Sequence, residues 1–278
     1  FSALLWRAHT NNMRNPAFMR AMASRSVAMA LVVGSLYSDV GLTQRGVQDR
    51  TGALYFILVN QVMTTISSLR TFIAESNVAK HEHALGLFSL PAYFLSRSLA
   101  EAGLQLSFAM LFGVLTYHLV GFAPDLEQRG VFLLLLGLVT LAAESYMVLM
   151  GALIGDERAA AAIAPSLLAL FMVSGGFFIN TASLPLLFRG LNKVNMFSFA
   201  FAGAMTNEFS ALHFECSDEE RLGSPRQARC PVSSGAEVLE RMALGERTPM
   251  QNAGCLLALL LAFRALAFLA LRRRFRRL

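Results

Sequence analysis

From Val131 to Leu153 the chain carries one charged side chain, Glu144, and elsewhere it repeats that pattern in stretches of about 20 residues separated by charged clusters. Such a run matches the ~30 Å hydrocarbon core of a bilayer at a helical rise of ~1.5 Å per residue. Within that core each backbone group needs a partner inside the protein, which leaves helices or a closed barrel. The alternating period of barrel strands is absent, so the spans are helical. Composition agrees: 55% of the 278 residues are hydrophobic and 15% are charged, against an apolar share of ~45–50% in soluble domains. The sequence therefore reads as an all-α membrane protein.

Residues 1–16 predict an amphipathic connecting helix, with Phe1, Leu4, Leu5 and Ala8 on one face and Arg7, Asn11 and Arg14 off it. Asn15-Pro16 ends it. Residues 17–278 then form one membrane domain with six spans, about 17–37, 51–73, 91–119, 131–153, 159–178 and 252–271. Arg7, Arg14, Arg20 and Arg25 lie before or near the start of the first span, and the chain closes on RRRFRR. Basic residues favour the cytoplasmic side, so both termini are expected there. After Gly175-Gly176 the chain stays apolar but is broken by Pro185, Arg189 and Lys193, which predicts helical pieces re-entering the outer leaflet. The long polar segment 207–250 holds eight acidic residues against five arginines and is expected outside. A start on Phe1, already amphipathic and without an initiator Met, suggests a piece of a longer polypeptide.

Polar side chains within spans are costly unless they face other helices or a cavity. Span 2 is richest in them, with Asn60, Gln61, Thr64, Thr65, Ser67 and Ser68. Asn60 shares a helical face with Phe56 and Met63 and is read as lining a cavity, while the hydroxyl residues fit cavity or helix packing equally. In span 3, Arg97 and Glu101 are four apart and predict an ion pair along one helix. Glu144 is read as a hydrogen-bonded contact between helices in preference to a proton relay. Cys216 and Cys230 fall in the expected oxidising compartment, where a disulfide would be worth ~3 kcal/mol; free thiols are the alternative.

No GxxxxGK[ST] loop is present, so the chain lacks a phosphate cradle of its own. His81-Glu82-His83 does not make a metal site, since histidines two apart on a helix point ~200° apart. No nucleophile–base arrangement or ion-channel filter stands out. The basic tail flanks a membrane and is not a nucleic-acid site. Residues 72–101, wedged between two spans, read as a plain loop or as a cytoplasmic connection under mechanical load. A helical stretch from Glu75 to Phe88 and a bend at Gly86 and Pro91 are predicted there.

Several segments in order carry a family resemblance: Asn15-Pro16; Gly52, Leu54, Tyr55, Phe56, Asn60 and Gln61; Phe72, Glu75, His81, Glu82 and Gly86; Tyr93, Phe94 and Leu95. SGGFFIN at 174–180, Asn207-Glu208-Phe209 followed by a cysteine, and the basic C-terminus complete it. Over nearly its whole length the chain resembles the transmembrane domain of an ABC transporter of the G subfamily, the White and breast-cancer-resistance type. That resemblance implies an exporter of lipids, sterols or other amphipathic compounds, in which two such halves pair among membrane lipids. ATP and Mg would be held by a nucleotide-binding domain of the same polypeptide, N-terminal to this segment. A non-pumping membrane scaffold that keeps the fold is the alternative. The resemblance also implies a coupling helix bearing Glu75, His81 and Glu82, a central substrate cavity at Phe56, Asn60, Met63 and Met172, and a valve at Phe177 and Phe178. Cys216 and Cys230 resemble the family's extracellular disulfide. Met63 stands where multidrug members have a clamping aromatic, Arg70 where they are acidic, and Ala102-Gly103 replaces a proline. These departures leave multidrug specificity outside what carries over.

Overall fold

The computed structural model of the chain describes residues 1–38, 40–180, 185–215 and 230–276. The described residues are helical, with isolated bridges at Thr43–Glu215 and His213–Ser234 in place of any sheet. The helices are α1 (Ser2–Met13), α2 (Pro16–Leu36), α3 (Gln44–Thr64), α4 (Ile66–Ala84), α5 (Leu90–Val120), α6 (Leu126–Ile154), α7 (Glu157–Val173), α8 (Leu186–Asn192), α9 (Met196–Phe209), α10 (Gly235–Arg241) and α11 (Pro249–Phe275).

Side chains at the starts of these helices capture amide N–H groups that have no partner within the helix. Asn15, Thr43, Asp125 and Asp156 accept from the amides of Phe18, Gly46, Gln128 and Ala159. In α11, Thr248 and Gln251 form a reciprocal capping box around Pro249. The turn from α6 to α7 depends on Gly155 at φ 72°, a left-handed conformation that glycine adopts without strain.

Among the described residues, five candidate spans are long and apolar enough to cross a membrane: α2, the continuous α3–α4 rod, α5, α6 and α11. The expected span at 159–178 falls on α7, which has 17 residues, contains Pro165 and stops at Val173. Its length of about 25 Å lies at the short edge of what a crossing needs. The re-entrant expectation falls on two short helices, of which α9 is buried along most of its length.

α6 is the central post, with 72% of its apolar window buried against 17% for α2. α2 instead leans on α5 through Gly34, where a Cβ would lie 2.4 Å from Leu119 Cβ. Between the expected span 2 and the expected helical stretch from Glu75 the helix is unbroken, and its bend lies earlier, at Thr65. α3 and α4 make one helical run of 41 residues. At the bend Thr65 N–H turns to Val62 C=O at 3.0 Å, and Thr65 Oγ1 donates to the same carbonyl at 2.7 Å. Such tightened turns with a hydroxyl bonding back onto the helix redirect its axis.

Candidate functional site

Both ends of the described chain meet at one end of the bundle, referred to here as the terminal end. Arg7 on α1 donates to both Glu82 carboxylate oxygens at 2.9 and 3.2 Å. These bonds hold the Arg7 guanidinium above its ordinary pKa. On α11, Arg274 donates to Asn77 Oδ1 at 3.1 Å and to Gly155 C=O at 3.3 Å, while Phe275 lies 5.6 Å from the His83 ring. His83 Nδ1 is 2.9 Å from Phe88 C=O. The His-Glu-His cluster is thus divided: Glu82 and His83 are engaged, and His81 is exposed.

Glu75 also faces a neighbouring helix. It accepts from Arg97 Nε at 2.5 Å, which corrects the expected Arg97–Glu101 pair. Arg97 leans across to α4, and Glu101 instead accepts from Ser68 Oγ at 3.0 Å. The Arg97 guanidinium lies 4.9 Å over the Phe72 ring, so a carboxylate and an aromatic face share the load of burying it. Of the three residues assigned to coupling, only His81 lies on open surface.

Phe56, Asn60 and Met63 follow one another at helical spacing along a partly exposed face of α3. Phe56 is 36% exposed, and Asn60 and Met63 are half-buried. Met172, at the end of α7, is joined to the same helix through its backbone: Tyr55 Oη donates to Met172 C=O at 3.0 Å. An aromatic cluster joins α3, α9 and the segment after α7. Phe177 stacks on Tyr55 at 4.2 Å with 9° between the planes, and Phe178 stands edge-on to Phe177 at 5.0 Å. Phe201 packs edge-on against both Tyr55 and Phe177. Asn195 pins α9 to the end of α7, donating to Phe171 C=O at 2.8 Å and Ser174 Oγ at 3.1 Å.

The opposite end of the bundle is tied by a buried ion pair that no spacing rule announced. Arg50 bonds Glu208 and donates to Val40 C=O at 2.6 Å, and Ala123 N–H donates to Glu208 at 3.2 Å. Asn207 and Gln128 exchange bonds alongside, each donating its side-chain amide to the other's carbonyl at 2.8 and 3.1 Å. Asn207-Glu208-Phe209 is therefore a clamp joining α9 to the starts of α3 and α6.

Midway along the bundle Glu144 meets Arg264 of α11 at 2.6 Å, and Arg264 also donates to Ser98 Oγ at 3.1 Å. Glu144 does make a contact between helices, as an ion pair in place of the expected hydrogen bond, with a cation that the sequence reading left unassigned. Cys216 lies outside the described residues, so the expected Cys216–Cys230 pairing does too; Cys255 is a free thiol. Among the described residues no group of His, Cys, Asp or Glu is placed to hold a metal.

Tyr55, Arg50, Glu208 and Arg264 were missed as functional or structural anchors. Tyr55 stood inside a recognised motif, yet its role appears only once the Phe177 stack is seen. A buried arginine always needs a partner, but nothing in the order of residues names Glu208 as the partner of Arg50.

Residues 1–209 match the ABC-2 type transporter family. The chain is 31% identical over 248 residues to ABC transporter G family member 7 of Arabidopsis thaliana, covering 89% of this chain and 33% of that protein. It is 27% identical over 277 residues to ABC transporter G family member 1 of Dictyostelium discoideum, covering 98% and 34%. To Protein white of Drosophila melanogaster it is 27% identical over 279 residues, covering 100% and 40%. The chain thus spans between a third and two fifths of the length of these relatives.

Proposed function

The chain belongs to the ABC-2 type transporter family and is an integral membrane protein, and we propose that it is the membrane half of an ATP-driven exporter of lipids, sterols or other amphipathic compounds. The observation that carries this reading is the α3 face: Phe56, Asn60 and Met63 in a row, partly exposed, on the helix whose Tyr55 joins the aromatic cluster of Phe177 and Phe178. A second half, identical or related, is proposed to cover that face and complete the cavity with its own copy of the row. Met172 joins the lining, and Phe177 and Phe178 act as the valve. One polar amide among apolar side chains suits a substrate with a small polar head and a large apolar body.

ATP and Mg are assigned to a nucleotide-binding domain of the full-length polypeptide. The terminal end is taken as cytoplasmic, which accords with its arginines and with α1 and the end of α11 meeting there. His81 is the open contact to the motor, while Glu75 and Glu82 transmit through α5 and α1. Cys216 and Cys230 are proposed to bond on the other side of the membrane. Alternating access then requires substrate to bind one state more tightly than the other. The test is ATPase activity of the full-length protein in lipid with and without sterols. Stimulation that Asn60→Leu abolishes, with basal activity kept, is expected; no stimulation by any amphipath would point to a scaffold instead.

A further inference from the structure

We propose that the cleft between α1, α4 and α5 is a second lipid site, separate from the α3 face, which takes an uncharged membrane lipid by a hydroxyl or ester oxygen. The cleft encloses about 490 Å³, within the ~300–1,000 Å³ of small-molecule sites. Trp6, Val78 and Phe88 supply apolar wall, and Tyr93 and Arg97, four apart on α5, supply the polar floor. Arg97 is only 6% exposed, yet its Nη2 has no hydrogen-bond acceptor among the described residues, and neither has the buried Tyr93 hydroxyl. Both groups are held in place. The guanidinium is fixed by Glu75 and the Phe72 ring, and Tyr93 stacks on Phe88 at 5.2 Å. Two fixed, buried donors without acceptors are costly to leave unmatched, and an incoming acceptor oxygen relieves that cost.

Charge selects the ligand class. Arg7, Arg14 and Arg97 line the cleft together with Glu75, Glu82 and Glu101, so the cations and anions balance. No net positive field draws an anionic head, and Glu75 beside Arg97 repels one. A neutral head on an apolar body is what remains, and the amphipathic α1, with Trp6 72% exposed, flanks the cleft as such helices flank lipid. Sterols and monoacylglycerols share this chemistry.

The experiment uses the full-length protein in phosphatidylcholine vesicles. It is labelled in separate samples with a photoreactive alkyne sterol, a photoreactive alkyne monoacylglycerol and a photoreactive alkyne fatty acid, and labelled peptides are mapped by mass spectrometry. At least one neutral probe is expected to label 1–14 and 75–101, and which one does so identifies the source. Tyr93→Phe keeps the ring stack, so its fold is preserved, and should cut that labelling about fivefold, the worth of one hydrogen bond. Trp6→Ala should cut it as well. Absence of label in both segments, label unchanged in Tyr93→Phe, or stronger labelling by the fatty acid would each overturn the proposal. Labelling needs no turnover, so a protein that does not pump still reports the site, and a working pump without label there refutes this inference alone.

Discussion

The two ends of the bundle both carry arginine–glutamate pairs, but they are built to different specifications. At the end away from the termini, Arg50 and Glu208 are buried and each has further bonds, to Val40 C=O and from Ala123 N–H. At the terminal end the Arg7 side chain is 63% exposed, and Glu75, beside the buried Arg97, is partly exposed. A buried pair costs several kcal/mol to open, whereas an exposed one is worth about 0–1 kcal/mol. The contrast suits a machine with one fixed end and one adjustable end. The adjustable end is the one from which the proposed motor would pull.

The contrast fails first if the buried clamp proves dispensable. Glu208→Ala leaves Arg50 buried without its counter-charge, for an expected loss of about 3–5 kcal/mol. That is a large part of the ~5–15 kcal/mol that holds a typical protein folded, so little folded protein should survive detergent extraction and a thermal ramp. Glu208→Gln should be milder, because its amide oxygen still accepts from Ala123 N–H. An Ala variant as stable as the parent would make the two ends equivalent. Next in size is Glu75→Ala, which removes the acceptor from the Arg97 Nε and should cost about 1–3 kcal/mol. Because Glu75 reaches water and Phe72 still covers the guanidinium, the loss should stay below that of Glu208→Ala in the same ramp.

The terminal pair sharpens the comparison from the other side. Arg7→Ala should change stability by less than about 1 kcal/mol while uncoupling α1 from α4. The expected readout is normal yield and thermal midpoint with reduced substrate-stimulated ATPase in the full-length protein. The exchange Arg7→Glu with Glu82→Arg should restore coupling. If Arg7→Ala leaves stimulation intact, the α1–α4 tie is packing and not transmission.

How much of this was legible beforehand divides along the same line. That the chain is built of long apolar helices was legible, because crossing a bilayer is a one-dimensional constraint that sequence order states directly. α3 begins at Gln44, ahead of the expected span at 51, and the added turns carry Arg50, which bonds Glu208 and Val40. Arg97 was given its i, i+4 neighbour on α5, yet Glu75 on α4 lies closer in space. Helical spacing ranks neighbours on one helix and says nothing of the next helix. The aromatic cluster was half visible: Phe177 and Phe178 were named, but the stack of Tyr55 on Phe177 came to light only in three dimensions.

The smallest effect tests whether exposure itself is what makes a carboxylate adjustable, since the fixed end also has a partly exposed one. Glu237, in the first turn of α10, accepts from Ser233 N–H at 3.0 Å and from Arg241 at 2.6 Å. The Ser233 backbone bond first, and Arg241 with it, holds the carboxyl below its ordinary range. A group whose folded pKa is depressed contributes fully above its unfolded pKa and loses that contribution as pH falls through the folded one. Protection of the α10 amides against hydrogen exchange should therefore be level near neutral pH and decline, after correction for intrinsic rates, only in acid below the usual glutamate range. Glu237→Gln should abolish this acid-dependent step while leaving the Ser234 cap. With the carboxylate at the surface and its side chain 34% exposed, the step should stay local to 233–241. If acid instead loosens α3 and α9 together with α10 even in Glu237→Gln, then the clamp at Glu208 is itself open to protons, and burial is not what separates the two ends.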